Sequence, residues 1–290
     1  MTADPAAGDR GGTLFVVATP IGNLSDVTLR AMETLAAVPL IAAEDTRLTK
    51  RLLDRHGISA KLTSFHARSG AARRVALLEH LRGGGDLALV TDAGTPVVSD
   101  PGAELIADWT AEGGRVVPIP GASAVLAAVS ATAVAGPRWS FEGFLPRSGR
   151  ERRDRLAAIA LDRRGTVLFE APGRAAATLR DLGAACGVLR AGAVCRELTK
   201  IHEQIVQGTL GELAEAVANG AIPARGEFVL IVGAADDAVS PATEPSADSL
   251  ADALAAVEAL VAGGSARGDA ARRVAAETGI PRRRLYEPGR

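Results

Sequence analysis

The run LVTDAGTPVVSDPG, Leu89 to Gly102, decides how the chain reads. It passes from aliphatic residues directly into a loop containing Asp92, Asp100, two prolines and two glycines. Proline fixes φ and glycine forfeits backbone entropy on ordering, so a loop of this composition has a tightly specified shape. The aliphatic residues before it, DLALVTD, read as a buried strand, and Ala103 to Thr110 after it as a helix. A stiff strand-to-helix turn of this kind belongs to a parallel α/β sheet, where ligands sit beyond the carboxyl ends of the strands.

The same pattern recurs on both sides. TLFVVA, Thr13 to Ala18, reads as a first strand that ends in TPIGNLSD, with a helix after it that carries Leu29, Met32 and Leu35 on one face. Ser25 or Asp26 is the expected cap of that helix. PLIAAEDT reads as a second short strand, and RLTKRLLDRHG as a helix closed by Gly57. GGRVVPIPG follows as a further strand, then ASAVLAAVSATAV as a small-residue helix able to pack closely on a sheet. Strand and helix alternate throughout, which predicts a parallel sheet.

The character of the chain changes from Gly136 to Arg155, where Trp139, Phe141 and Phe144 precede a run of five arginines and two acids. GTVLFEAPGR, AGAVCREL, HEQIVQGTL and GEFVLIVG beyond it are strand candidates separated by helical segments. They predict a second α/β domain with more hairpin character. The expected boundaries are a disordered tail over 1–12, an N-terminal domain over 13–120, a C-terminal domain over 121–233, an acidic linker over 234–257 and a basic helical extension over 258–290. That extension closes with seven arginines against three acids from Gly263 onward, which leaves a solvated helical tail and a nucleic-acid contact both open.

Composition narrows the function. The 290 residues are 47% hydrophobic but only 3% aromatic, so the core is built of Ala, Val and Leu, as in helices packed on parallel strands. The formal net charge of −1 gives no global basic field, so any nucleic-acid site is a local patch. Cys186 and Cys195 have no metal or redox spacing and read as buried thiols. No apolar run of membrane length and no signal sequence is legible, and the chain reads as cytoplasmic with no membrane contact.

Several chemistries lack their motifs. ATPIGN has one glycine where a dinucleotide fingerprint needs three, and GxxxxGK[ST] and GxSxG are absent. His56, His66, His80 and His202 have no ligand spacing, and no metal site is expected. TPIGN, DAGTP and PGASA share one style. All three fall at strand ends, where Gly and Pro let the backbone approach a flat ligand such as a nucleoside with a charged tail. Glu44 and Asp45 are adjacent, so their side chains point to opposite faces, one toward a cleft and one capping the next helix. In RELTK, Arg196 and Lys200 read either as a surface ion-pair run or as cleft residues. Lys200 serves as a base only if burial or a cationic neighbour lowers its pKa.

TPIGNLSDVTLRA, IAAEDTR, TDAGTPVVSDPG, VVPIPGASA, FEGFLPR, RELTKIHE and GEFVLIV occur in this order with compatible spacing. Together they resemble the 16S rRNA (cytidine-1402 2′-O)-methyltransferases of the tetrapyrrole-methylase-like superfamily, over about residues 13 to 233. The resemblance implies two α/β domains, S-adenosyl-L-methionine held in the cleft between them, a homodimer, and 16S rRNA of the small ribosomal subunit as partner. It implies Pro20, Asp92, Ala93, Gly94, Thr95, Val98 and Ser123 around the cofactor, and Glu44, Asp45, Asp92 and Lys200 as candidates to draw off the ribose proton. Arg47 and Arg196 would hold phosphates, and Arg147, Arg150, Arg152 and Arg153 would widen that contact. FEAPGR stands where the family commonly has a YES sequence, and PGASA where it has PGPSA or PGPCA, which bears on the contacts of Glu170 and Arg174. A small-molecule (tetrapyrrole or precorrin) methyltransferase and a non-catalytic rRNA-binding assembly factor are the alternatives.

Overall fold

The computed structural model describes residues 11–235, 247–278 and 285. The chain divides after Ala235 into two compact units.

In the first unit the opening half runs β1 (Thr13–Val17), α1 (Leu29–Ala37), β2 (Leu40–Ala43), α2 (Thr46–Arg55), β3 (Leu62–Ser64), α3 (Ala71–Arg82), β4 (Leu87–Val90), α4 (Ala103–Ala111), β5 (Arg115–Ile119) and α5 (Ala124–Ser130). The strands form one parallel sheet in the order β3-β2-β4-β1-β5. β4 is buried along its whole length, as its run of four aliphatic residues requires. Pro118 is accommodated because β5 is an edge strand. The sequence gives no clear signal for β3, a three-residue edge strand, because so short a run shows no periodicity.

The cap of α1 differs from expectation. A short 3₁₀ turn, Leu24–Asp26, capped by Asn23, intervenes, and Thr28 caps α1 by accepting from the Ala31 N–H at 3.1 Å. Ser25 and Asp26 are spent inside the turn.

The second half runs β6 (Trp139–Phe144), α6 (Gly149–Leu161), β7 (Gly165–Glu170), α7 (Ala175–Cys186), β8 (Ala191–Arg196), β9 (Gln204–Thr209), α8 (Leu210–Ala218) and β10 (Phe228–Val232). Its sheet has the order β6-β7-β10-β8-β9, with β6 and β7 parallel and the remaining pairs antiparallel. The fold is therefore α/β with two sheets, the second partly antiparallel. α5 joins the halves: Val125 and Ala128 share a buried cluster with Ile21 from the first half and with Val167, Ala193, Cys195, Val229 and Ile231 from the second sheet. Its small side chains let the helix lie close against β7 and β10.

The second unit contains α9 (Ala247–Ala262) and α10 (Arg267–Thr278), packed through Ala253, Val257, Ala270, Ala271 and Val274. α9 begins inside the stretch expected to be linker. Residues 1–10, 236–246, 279–284 and 286–290 lie outside the described residues.

β10 is the middle strand of the second sheet, and Leu230 within it is fully buried. Leu230→Ala should lower unfolding stability by about 2–5 kcal/mol, read as a shift of the urea midpoint. A shift below about 1 kcal/mol would mean that the second core repacks around the vacancy.

Candidate functional site

The loops after β1 and β4 are tied together just past their strands. The Thr19 N–H donates to the Gly94 carbonyl at 2.8 Å, and the Gly94 N–H returns to the Thr19 carbonyl at 3.0 Å. The buried Thr19 hydroxyl donates to the Thr91 carbonyl at 3.1 Å. Thr95 reaches the Ala122 carbonyl at 3.4 Å and so adds the loop after β5. Gly94 has φ +81°, and a Cβ there would lie 3.4 Å from Ile21 Cγ2. Val97 and Ser99 are also left-handed, at φ +76° and +71°. Non-glycine residues held there store on the order of 1–3 kcal/mol each, so the bonded framework dictates the loop shape.

This floor carries a cavity of about 420 Å³. Asp92, Ala93, Gly94, Thr95, Val98 and Ser123 line it from the first half, with Glu44, Ser99 and Asp100. The second sheet supplies the facing wall through Phe144, Phe169, Glu170, Pro172, Phe228 and Val229. Phe169 stands edge-on to Phe141 at 4.9 Å between centroids, and Phe144 lies 5.6 Å away, half exposed. Pro20, expected with the cofactor residues, instead lines an adjoining cavity of about 470 Å³ with Leu24, Leu48, Arg51 and Lys200. Ile21, Asp92, Ala93 and Glu227 line both.

Across the mouth, the RELTK loop grips the TPIGN loop. The Asn23 N–H donates to Thr199 Oγ1 at 3.1 Å. A Cβ on Gly22 would fall 2.5 Å from Lys200 Cγ, so only glycine lets the lysine stem cross there. Lys200 Nζ is ion-paired to Glu197 and Glu227, each at 2.9 Å. Glu197 and Thr199 take φ of +51° and +67°. All four left-handed non-glycine residues among those described thus fall in the two loops that face the cleft.

The carboxylates divide by task. Asp45 caps α2, accepting from the Arg47 N–H at 2.8 Å, and the Arg47 side chain pairs with it at 2.5 Å. That hydrogen bonding holds the Asp45 carboxyl down at about 2. Asp45 lines neither cavity. Glu44 faces the first cavity and accepts from the Thr91 hydroxyl at 2.8 Å. The adjacency argument made from the sequence therefore describes this pair. Asp92 accepts the Asp45 N–H at 2.8 Å. Burial and then the nearby Glu44 push its pKa up. Asp100 is pushed up to about 6, chiefly by burial, with the Thr91 hydroxyl pulling it down and Glu44 and Asp92 adding to the rise. Burial of Lys200 favours its neutral form, but the hydrogen bonds its ammonium donates to Glu197 and Glu227 outweigh this and raise its pKa. A base needs the opposite shift, so the lysine acts as a fixed cation.

The arginines also separate. Arg196 is buried, with its Nε donating to the Arg225 carbonyl at 2.7 Å and its Nη1 to the His202 carbonyl at 3.3 Å, so both are committed to the loops around β8. Arg152 is likewise buried, bound to Thr178 at 3.0 Å and to Asp181 at 2.8 Å. Thr178 passes the connection to the buried Glu170 at 2.6 Å, and Arg174 lies 3.3 Å from Glu170. Arg47, Arg147, Arg150 and Arg153 are exposed. Among the described residues no group of three or more His, Cys, Asp or Glu side chains is placed to hold a metal ion.

Sequence reasoning missed Asp100, although it lies in the decisive stretch, because nothing local distinguishes it from an ordinary turn aspartate. It also missed Phe144, Phe169 and Glu227, whose blocks stood out while their convergence on one cavity depends on which strands pair.

The arrangement is a backbone-floored cavity between two dissimilar α/β sheets. The family model for Tetrapyrrole (Corrin/Porphyrin) Methylases matches residues 13–214. Uroporphyrin-III C-methyl transferase from Thermus thermophilus, complexed with S-adenyl homocysteine, superposes with TM-score 0.57 at 20% identity over 77% of this chain and 97% of that one. Diphthine synthase superposes with TM-score 0.60 at 16% identity over 77% and 90%. Sequence similarity is closer to the ribosomal RNA small subunit methyltransferase I of Synechocystis sp., 45% identical over 95% of this chain and 96% of that protein. The protein of that name from Halalkalibacterium halodurans is 41% identical over 96% and 94%. The chain belongs to the ribosomal RNA small subunit methyltransferase I family, within the tetrapyrrole methylases.

Asp100 yields a prediction. Its raised pKa means that the folded protein holds the proton more tightly than the unfolded chain does between about pH 4 and pH 6. The resulting destabilisation is absent below that window, grows as pH rises through it and is complete above it. Asp100→Asn should therefore unfold at higher urea than the parent at pH 7.5, by about 1 kcal/mol once solvent screening is allowed for, and at the same urea at pH 4. Equal stabilities at pH 7.5 would show the carboxylate to be well solvated.

Proposed function

We propose that the protein transfers the methyl group of S-adenosyl-L-methionine to the ribose 2′-hydroxyl of cytidine 1402 in the 16S rRNA of the small ribosomal subunit. The observation that carries this reading is the 45% identity to a ribosomal RNA small subunit methyltransferase over nearly the whole of both chains. The site residues agree with it. A cavity of about 420 Å³ falls within the range for small-molecule sites, with apolar surface on its walls and carboxylates among its lining residues. Phe144 and Phe169 offer flat apolar surface to an adenine, and Glu44 and Asp100 set negative charge beside a ligand that bears a sulfonium and an ammonium. Gly94 keeps side-chain atoms off the floor.

When bound, the cofactor supplies an electrophilic methyl group on a good leaving group, so the protein contributes mainly position and a proton acceptor. The bonded loops after β1, β4 and β5 fix the floor, and the Phe-lined wall fixes the opposite side. Arg47, Arg147, Arg150 and Arg153 are exposed and suit phosphate contact, which would position the RNA without reading its sequence. A macrocyclic acceptor fits less well, since no aromatic side chain among the described residues lines the second cavity. The proposal includes a homodimer and a cytoplasmic location alongside its ribosomal substrate. Light scattering should then return twice the 29.6 kDa chain mass. No helix among the described residues is long and apolar enough to cross a membrane.

The test is transfer of labelled methyl from S-adenosyl-L-methionine to small subunits that lack the modification, with the product mapped at nucleotide resolution. One labelled 2′-O-methylcytidine at the named position supports the proposal, whereas label on a base or on no nucleotide rejects it. Gly94→Val and Thr95→Phe should both abolish cofactor binding by calorimetry while leaving the circular dichroism spectrum unchanged. Thr95→Phe adds bulk without the positive-φ strain of the valine, so cofactor binding by that variant would displace the cleft from this floor.

A further inference from the structure

The two cavities meet at four residues, and only two of these ionise: Asp92 and Glu227. Glu227 is held by Lys200 Nζ at 2.9 Å. Asp92 has one oxygen, Oδ1, fixed by the Asp45 N–H at 2.8 Å, and among the described residues no hydrogen bond reaches its Oδ2. The remaining candidates are occupied or misplaced. Glu44 lines only the first cavity, Asp45 lines neither and is bound to Arg47, and Lys200 is a paired cation.

Resting on the methyl-transfer reading above, we infer that the second cavity, lined by Leu24, Leu48, Arg51 and Lys200, receives the acceptor ribonucleoside and that Asp92, in the wall between the cavities, takes the proton of its 2′-hydroxyl. The hydroxyl oxygen forms the new C–O bond as the S–C bond breaks, with the bonding pair remaining on sulfur and the hydroxyl proton passing to Asp92. The sulfonium charge is discharged and the carboxylate is neutralised, so atoms and charge balance without another reactant. The oxygen grows more acidic as its bond to carbon forms, so a carboxylate suffices as a late acceptor. Leu24 and Leu48 supply apolar contact, and Arg51 and Lys200 place positive charge where an adjoining phosphodiester would lie. The elevated pKa of Asp92, caused by burial and Glu44, makes it a stronger acceptor than a solvated aspartate.

The experiment compares Asp92→Asn and Leu48→Trp with the parent in three measurements: single-turnover methyl transfer to unmodified small subunits, calorimetric affinity for S-adenosyl-L-methionine, and filter-binding affinity for the subunits. Asparagine keeps an acceptor for the Asp45 N–H but cannot take a proton. Asp92→Asn should slow transfer about a hundredfold, with both affinities within threefold of the parent. A slowing of less than tenfold overturns the assignment, and so does a loss of cofactor affinity beyond tenfold, which would make Asp92 a cofactor ligand alone. Leu48→Trp, by filling the second cavity, should weaken subunit binding about tenfold while cofactor affinity is retained. Unchanged subunit affinity removes the acceptor from that cavity. Should Leu48→Trp also lose the cofactor, Leu24→Trp applies the same test from the other side. A parent enzyme that binds cofactor yet labels no ribose would sink the methyl-transfer reading itself, a result separate from failure of either variant.

Discussion

Two backbone hydrogen bonds between Thr19 and Gly94 hold the site in being. They lie beyond the ends of β1 and β4, where strand pairing has stopped and the chains would otherwise diverge. By joining there, the loops present a continuous main-chain floor on which side chains are optional. Buried amides and carbonyls must find partners, and here they find one another, which lets the floor stay apolar without orphaned polar groups. The left-handed Val97 and Ser99 follow from this constraint, since the segment must leave the bridge and return in time for α4 to begin after Gly102.

The electrostatics follow from the same geometry. Carboxylates from β2 and from the loop after β4 converge because their strands are neighbours in a parallel sheet and end at the same edge. Glu44 and Asp92 occupy the tips of adjacent strands, so Glu44 adds to the rise that burial imposes on the Asp92 pKa, and the two together favour a cationic visitor. Asp45, one residue along, escapes this because its side chain turns back to cap α2 and meets Arg47. A single step in sequence therefore separates a structural carboxylate from one that faces the cleft.

Much of the architecture was legible. The aliphatic run before each Gly/Pro loop identifies β1, β4 and β5, and the alternation with helices makes their sheet parallel. The hairpin character of the second half appears in the closely spaced strand candidates that become β8 and β9. What sequence could not supply is which residues meet across space. Arg196 and Arg152 look in sequence like ordinary members of a charged run, yet each is buried because a carbonyl or a carboxylate elsewhere in the fold claims it. Lys200 looked available as a base until two glutamates, one of them 27 residues away, were found on it. Phe144 and Phe169 belong to different strands and become a wall only when β6 and β7 pair.

The grip of the RELTK loop on Gly22 and Asn23 bears on how the enzyme keeps time. Lid-gated enzymes are often paced by the opening and closing of a loop. Here the Lys200 stem lies over a residue with no side chain, and Thr199 is hydrogen-bonded to the chain opposite, so the two rims are already fastened. Swinging them apart would expose a paired ammonium and break a bond that water must replace. The two rims are thus fastened to each other at the mouth, by one hydrogen bond and by the lysine stem packed over Gly22.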